Sequence, residues 1–338
     1  MQITNKQTRV YQPNKLTFAA YDYSLIQERI MNTVMYYLQE YIKPQFNASC
    51  SFNRDKFLAA IDDDYILIDF HPNMIVKPQQ NDQLKDSLMN LATIPVELKS
   101  YNSKGELVQI DYCGLLSAKL ILKYGRTSHI QISMKKEVAC LLIELERNKN
   151  NQPINYTSFI YECNRAFKSK YSSRIYKMLS SWKSKRMYEV TLDDFRSQLK
   201  IVDSYKRYSD IKKNILLPAQ RDLKKFADCW FDCEDETFVN RRNRRVYKLN
   251  FSIITKDDEK VCKLQKDSVE QLLKTYFALS QEDLKELEHL TNKPGLHARL
   301  NCKILEVYDR ILGDYSIKDK KKYLFECILN EFPEQFYS

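Results

Sequence analysis

The chain has 338 residues, 43% of them hydrophobic and 29% charged, which is enough to bury more than one core. No apolar run is long enough to cross a membrane, and the N-terminal MQITNKQTRVYQPNK has no apolar signal core, so a cytoplasmic protein with no membrane partner is expected. The net charge of +10 is local: residues 165–250 hold 22 Lys+Arg against 11 Asp+Glu, residues 1–164 hold 18 against 17, and residues 256–338 hold 14 against 16.

In chain order, residues 1–22 lack periodicity and read as an N-terminal arm. Ile26, Ile30, Val34, Tyr37 and Tyr41 recur at helical spacing over 23–43, and Pro44 ends that helix. A second helix is expected over 53–61, followed by the apolar run Tyr65–Phe70. Leu84, Leu88 and Leu91 mark a third helix over 81–92, with Asn81 or Asp82 able to cap it. Four strands (VELKSY, ELVQIDY, AKLILKY and HIQISM) follow Pro95, with turns at Ser103-Lys104-Gly105 and Gly125-Arg126. Residues 137–146 return to helix, and RNKNNQPIN at 147–155 reads as a polar linker.

Beyond the linker the order recurs. KYSSRIYKMLSSW (170–182) is a helix with Ser172 or Ser173 near its start, and Thr191 caps a helix over 191–201 with Asp194 three residues on. A third helix covers 209–227, and CWFDCEDE and RRVYKLNFSI form a hairpin across the turn Thr237–Arg245. Three helices and a hairpin make a winged helix, whose third helix enters the major groove. The expected fold class is therefore α+β: a winged-helix domain at 23–150, a second, DNA-binding one at 151–255, and a helical tail at 256–338. In the tail, Val269, Leu272, Leu273, Tyr276 and Phe277 make one apolar face. Leu300, Ile304, Tyr308 and Ile311 make another, and Leu324, Cys327 and Ile328 a third.

On the helix 209–227, Ile211, Ile215, Ala219, Leu223 and Phe226 form an inward stripe. Base edges are read from the start of a recognition helix, which places Asp210, Lys213 and Asn214 toward bases, with Arg207 in the preceding turn. Lys212, Arg221 and Lys224 lie on the flanks or further along, better placed for phosphates. The wing supplies Arg241, Arg242, Arg244, Arg245 and Lys248. The first module is poorer: Asp86 matches Lys213, and Lys85 is the helix's one cation. Its DNA contact is then either weaker, or made by Lys99, Lys104, Lys119, Lys123 and Arg126, or replaced by protein contacts.

Other chemistries lack their residues. The five glycines allow no phosphate-binding loop of the G-x-x-x-x-G-K type. The four histidines form no H-x-H pair for a metal-dependent nickase, and His297-Ala298-Arg299 with Tyr308 has the wrong spacing for a tyrosine recombinase. Asp62-Asp63-Asp64 suits a solvated loop better than Mg²⁺. Nine scattered cysteines fit a reducing compartment, and Cys229 and Cys233 read as inward-facing strand residues, not zinc ligands. No catalytic residue, metal or cofactor is assigned.

KYSSRIYKMLSSW, TLDDFRSQLKI, YKRYSDIKKNILLPAQRDL and RRVYKLNFSI resemble the iteron-binding plasmid replication initiators. The matching elements are Ser173, Arg174, Tyr176 and Leu179; Tyr205 and Arg207; Lys212, Lys213, Leu216 and Ala219; and Phe251 to Ile253. The resemblance implies two winged-helix modules on double-stranded direct repeats at an origin. It also implies recruitment of host initiation proteins and the replicative helicase, and autorepression as a homodimer. It makes Arg207, Lys212, Lys213 and Asn214 the DNA readers and Arg174 a phosphate contact. VNRRNRR departs from the family in lacking a glycine before its basic pair, and the tail has no family counterpart. A transcriptional repressor built on the same modules is the alternative function, and an unrecognised DNA-processing enzyme the third.

Overall fold

The structure, a computed structural model, describes residues 7–47, 53–60, 64–101, 106–124, 126–293, 296–314 and 316–333. Cys50, Asp62, Asp63, Lys104, Gly105 and Gly125 lie outside the described residues. The chain divides into two compact units, one within residues 1–254 and one within 255–338. Among the described residues no helix is long and apolar enough to cross a membrane.

The first unit holds two winged-helix modules. In the first, helix Leu25–Tyr37 starts at a capping box: Gln27 N donates to Ser24 Oγ at 3.2 Å and Ser24 N to Gln27 Oε1 at 2.7 Å. The single helix expected to Pro44 breaks after Tyr37, resumes as Gln39–Ile42 and closes in a 3₁₀ turn, Lys43–Phe46. The apolar run Tyr65–Phe70 is a strand, with Ile66, Ile68 and Phe70 facing inward and alternate residues facing out. It pairs antiparallel with Arg126–Lys135, which pairs in turn with Ser117–Lys123. Helix Asn81–Ala92 buries Leu84, Leu88 and Leu91. Pro95–Tyr101 and Leu107–Gly114 form a separate hairpin before the sheet. It ends at Gly114, where a Cβ would lie 2.9 Å from the Ala92 carbonyl oxygen, so no larger residue fits without a shift.

The second module repeats that plan. Helix Lys170–Trp182 is followed by strand Met187–Thr191, helix Leu192–Gln198, the recognition helix, and strands Val239–Arg242 and Arg245–Ser252. In both sheets the last strand lies between the first and the second. Strand Met187–Thr191 has no counterpart in the sequence reading, and the cap of Lys170–Trp182 is Ser169, whose Oγ accepts from Tyr171 N at 3.2 Å. Ser172 and Ser173 sit inside the first turn, buried. Thr191 does cap its helix, accepting from Asp194 N at 3.1 Å.

Two connections are firmer than expected. Within the residues read as an arm, Arg9–Pro13 is a strand paired antiparallel with Tyr156–Ile160, because the backbone of an edge strand takes whatever partner the fold brings to it. The helix expected over 137–146 ends at Ile143, and Glu146 with Arg147, the first residue of the stretch read as a linker, pairs with Pro153–Ile154, while Arg147 Nη2 donates to the Gln45 carbonyl at 2.9 Å. Helices Leu25–Tyr37 and Lys170–Trp182 are also joined by a buried ion pair, Lys177–Glu28 at 2.9 Å, with Ser173 donating to the same carboxylate at 3.0 Å. Burial pulls the Lys177 ammonium pKa down, and Glu28 opposes that pull.

The second unit is helical, as expected of 256–338. Lys256–Phe277, His297–Gly313 and Lys320–Glu331, with two short helices, enclose a separate core that includes Val269, Leu273, Leu300, Ile304, Leu324 and Ile328.

Candidate nucleic-acid interface

The recognition helix runs as Tyr208–Ile211, a π turn at Lys212–Leu216, and Leu217–Phe226. The π turn comes just before Pro218, which has no N–H for the Asn214 carbonyl and so interrupts the α ladder. Ile211, Ile215, Ala219 and Leu223 are fully buried, and Leu216 joins them because the π turn widens the inward face. Asp222 fixes the back of the helix: its Oδ2 accepts from Lys168 N at 2.9 Å, Ser169 N at 3.3 Å and Ser172 Oγ at 2.8 Å. The front is held by Arg196, whose Nη2 donates to the Lys206 carbonyl at 2.7 Å, just before Arg207.

That anchoring leaves Arg207, Lys213, Asn214, Arg221 and Lys224 exposed, with Asp210 and Lys212 half-buried at the helix start. Asp210, Lys213, Asn214, Leu217, Arg221 and Lys224 follow helical spacing along one side. Lys225 is also exposed and extends the cationic flank.

The wing is shorter than the sequence suggested. Cys229–Trp230 belongs to a separate two-stranded pairing, and the hairpin proper is Val239–Arg242 with Arg245–Ser252. Arg242 pairs directly with Arg245, so Asn243 and Arg244 alone make the tip, with φ of 51° and 63°. Two left-handed residues are what a tight hairpin turn requires, and Asn fills the first place without glycine. Asn250 Nδ2 braces the wing base by donating to the Thr237 carbonyl at 3.0 Å. Arg241, Arg242, Arg244 and Arg245 are exposed, while Lys248 is half-buried and held by Glu189 at 2.5 Å. Burial raises the Tyr208 hydroxyl pKa to about 12, the Cys233 thiol adds to the rise, and Arg241 acts against it.

Arg174 is not part of this surface. It is 4% exposed, and its guanidinium donates to the carbonyls of Tyr21 at 3.0 Å, Ala19 at 2.7 Å and Gln198 at 3.0 Å, with the Tyr21 ring centroid at 3.5 Å. The expected phosphate contact is a structural arginine, because its guanidinium is buried and both terminal nitrogens already donate to carbonyls. Cys229 and Cys233 are both buried, and burial raises the Cys229 thiol pKa to about 12.

The first module carries a matching wing. Lys123 pairs with Arg126 across a two-residue tip, Leu122 with Thr127, and a register shift follows before Ile121 and His129. The second wing has the same sequence of pairs: Arg242 with Arg245, Arg241 with Val246, then a shift before Asn240 and Lys248. Lys119, Lys123 and Arg126 are exposed, whereas Lys99 pairs with Glu97 at 2.9 Å and Lys85 with Asp82 at 3.3 Å.

Residues 9–180 match the family described as initiator replication protein, WH1, and residues 191–253 match initiator Rep protein, WH2. The chain belongs to the initiator Rep protein family. Twenty solved chains resemble its fold. One is the Pi initiator protein crystallised with iteron DNA, with a TM-score of 0.52 and 15% identity, covering 75% of this chain and 100% of that one. No curated protein matches the chain in sequence. The tandem winged-helix architecture read from the residues is thus the family's own.

Proposed function

We propose that this initiator Rep protein binds repeated double-stranded DNA sites at a plasmid origin and marks that origin for host initiation proteins and the replicative helicase. The observation that carries the reading is that one module holds both a helix with exposed Lys213, Asn214, Arg221 and Lys224 and a hairpin with four exposed arginines, Arg241, Arg242, Arg244 and Arg245. On this reading Lys213 and Asn214 face bases. Lys213 suits the guanine O6/N7 edge and Asn214 suits adenine, while Asp210 accepts from cytosine. Arg207, Lys212, Arg221, Lys224 and the wing arginines neutralise phosphates. The protein acts by binding, without catalytic chemistry of its own. The Pi–iteron complex supports direct repeats as the target.

Footprinting on DNA flanking the gene tests this. The expected result is protection of short direct repeats, with log K against log salt falling at a slope of about −7 or steeper for these eight phosphate-facing cations. A slope near zero, or no protection, removes the reading. Protection of an inverted repeat alone points instead to a repressor acting as a homodimer. One surface favours that second state: strand Leu107–Gly114 is an unpaired edge with Leu107, Val108, Ile110 and Tyr112 exposed.

A further inference from the structure

The first-module wing has a chemistry the proposed function does not use. From Tyr112 to Lys136 the sequence contains no acidic residue and five cations, Lys119, Lys123, Arg126, Lys135 and Lys136. The hairpin at the centre of this stretch has the same pairing register as the arginine wing of the second module: Lys123 corresponds to Arg242, Arg126 to Arg245, and Tyr124 to Asn243. At that tip position a tight hairpin turn needs a left-handed backbone, which favours Asn, Asp or Gly. Tyr124 adopts it, at φ 50°, and leaves its ring 94% exposed. Leu122 beside it is 60% exposed. The Lys123 ammonium lies 5.8 Å from the Tyr124 ring centroid. An aromatic held outward in a conformation it disfavours, between two cations on an acid-free ribbon, is arranged for something outside the fold.

We propose that Tyr124 is a wedge: the first wing enters the minor groove of duplex DNA, and the Tyr124 ring stacks at a base step and unstacks it. This rests on the reading of the chain as an origin-binding initiator. Three observations select duplex DNA as the occupant. The flanking cations match phosphates on the two rims of a groove. A two-residue tip is narrow enough for a groove about 6 Å wide, where a whole ribbon is not. The exposed face of an aromatic ring stacks on a base, as the inserted side chains of minor-groove proteins do when they kink DNA, and Tyr124→Phe separates stacking from a hydroxyl contact to phosphate. The two wings then divide the work on one site, the second holding the backbone and the first opening a step. An initiator needs both.

The test uses the full chain on a fragment of the flanking DNA, with DNase I protection to establish binding and bend angle from circularly permuted fragments. In Tyr124→Trp the new indole reports as the difference from the wild-type chain, whose Trp182 and Trp230 emit in both. Its emission should fall by at least half at saturating DNA, and its acrylamide quenching constant should fall several-fold. Tyr124→Ala should keep the protected repeats, with affinity within about three-fold, and lose most of the bend, and Tyr124→Phe should keep the bend. An indole that stays bright and accessible on fully protected DNA, or an unchanged bend in Tyr124→Ala, overturns the wedge. If the wild-type chain protects no repeats, the origin-binding reading itself has failed.

Discussion

The two wings share a backbone and differ in what they present. Each has two residues at its tip, a directly paired cation on either side, and a register shift at the same place behind it. The second surrounds its tip with Arg241, Arg242, Arg244 and Arg245; the first offers Leu122, Lys123, Tyr124 and Arg126. Backbone geometry alone therefore does not determine what a wing does. The duplicated hairpin carries its tip at the same point of the strand register in each module, and on the proposed reading the side chains decide whether it neutralises phosphate or meets a base. The recognition helices differ similarly: Lys213 stands on one, and Asp82 and Asp86 on the other leave its Lys85 neutralised.

The largest effect should come from stripping the second wing. Arg241→Ala, Arg242→Ala, Arg244→Ala and Arg245→Ala combined should lower affinity for the protected site by about 100-fold or more and reduce the salt slope by about 3 to 4. The first-wing pair, Lys123→Ala with Arg126→Ala, should cost about ten-fold and reduce the slope by about 2. Equal losses from the two wings in a salt titration by fluorescence anisotropy would erase the distinction drawn between them.

Arg174 sharpens the comparison differently, because by type alone it belongs with the cations proposed to face DNA. Arg174→Ala should leave the salt slope unchanged and cost about 2–4 kcal/mol of stability in urea unfolding, since it removes a buried side chain and strands three part-buried carbonyls. A reduced slope with unaltered stability would return it to the interface. The arginine also shows where sequence legibility stops. Its helix was legible from periodicity, and so was the inward stripe Ile211, Ile215, Ala219 and Leu223, because both follow from local spacing. Its burial was not, because Ala19 and Tyr21 lie more than 150 residues away. The same cause hid strand Arg9–Pro13, whose partner is Tyr156–Ile160, and strand Met187–Thr191, whose partner includes Ser252. A five-residue strand has too little pattern of its own to announce itself. The cap at Ser169 was missed for a smaller reason: Ser172 and Ser173 have the same chemistry nearby, and only the backbone path decides among them.

The smallest effect separates backbone strain from charge at the second wing's tip. Arg244 sits at φ 63°, where a residue with a Cβ is strained and glycine is not. Arg244→Gly should therefore raise stability by about 0.5–1 kcal/mol, while Arg244→Ala, which keeps the Cβ, should leave it nearly unchanged. Both remove one cation, so both should reduce the salt slope by the same amount, about 1. Equal stabilities for the two variants would mean that the tip relaxes out of the left-handed conformation in solution. A slope reduced by glycine alone would mean that a flexible tip, not the lost charge, weakens the contact. The expected pattern, with stabilities apart and slopes together, identifies a turn built at a small cost in strain to hold arginine where a phosphate can reach it.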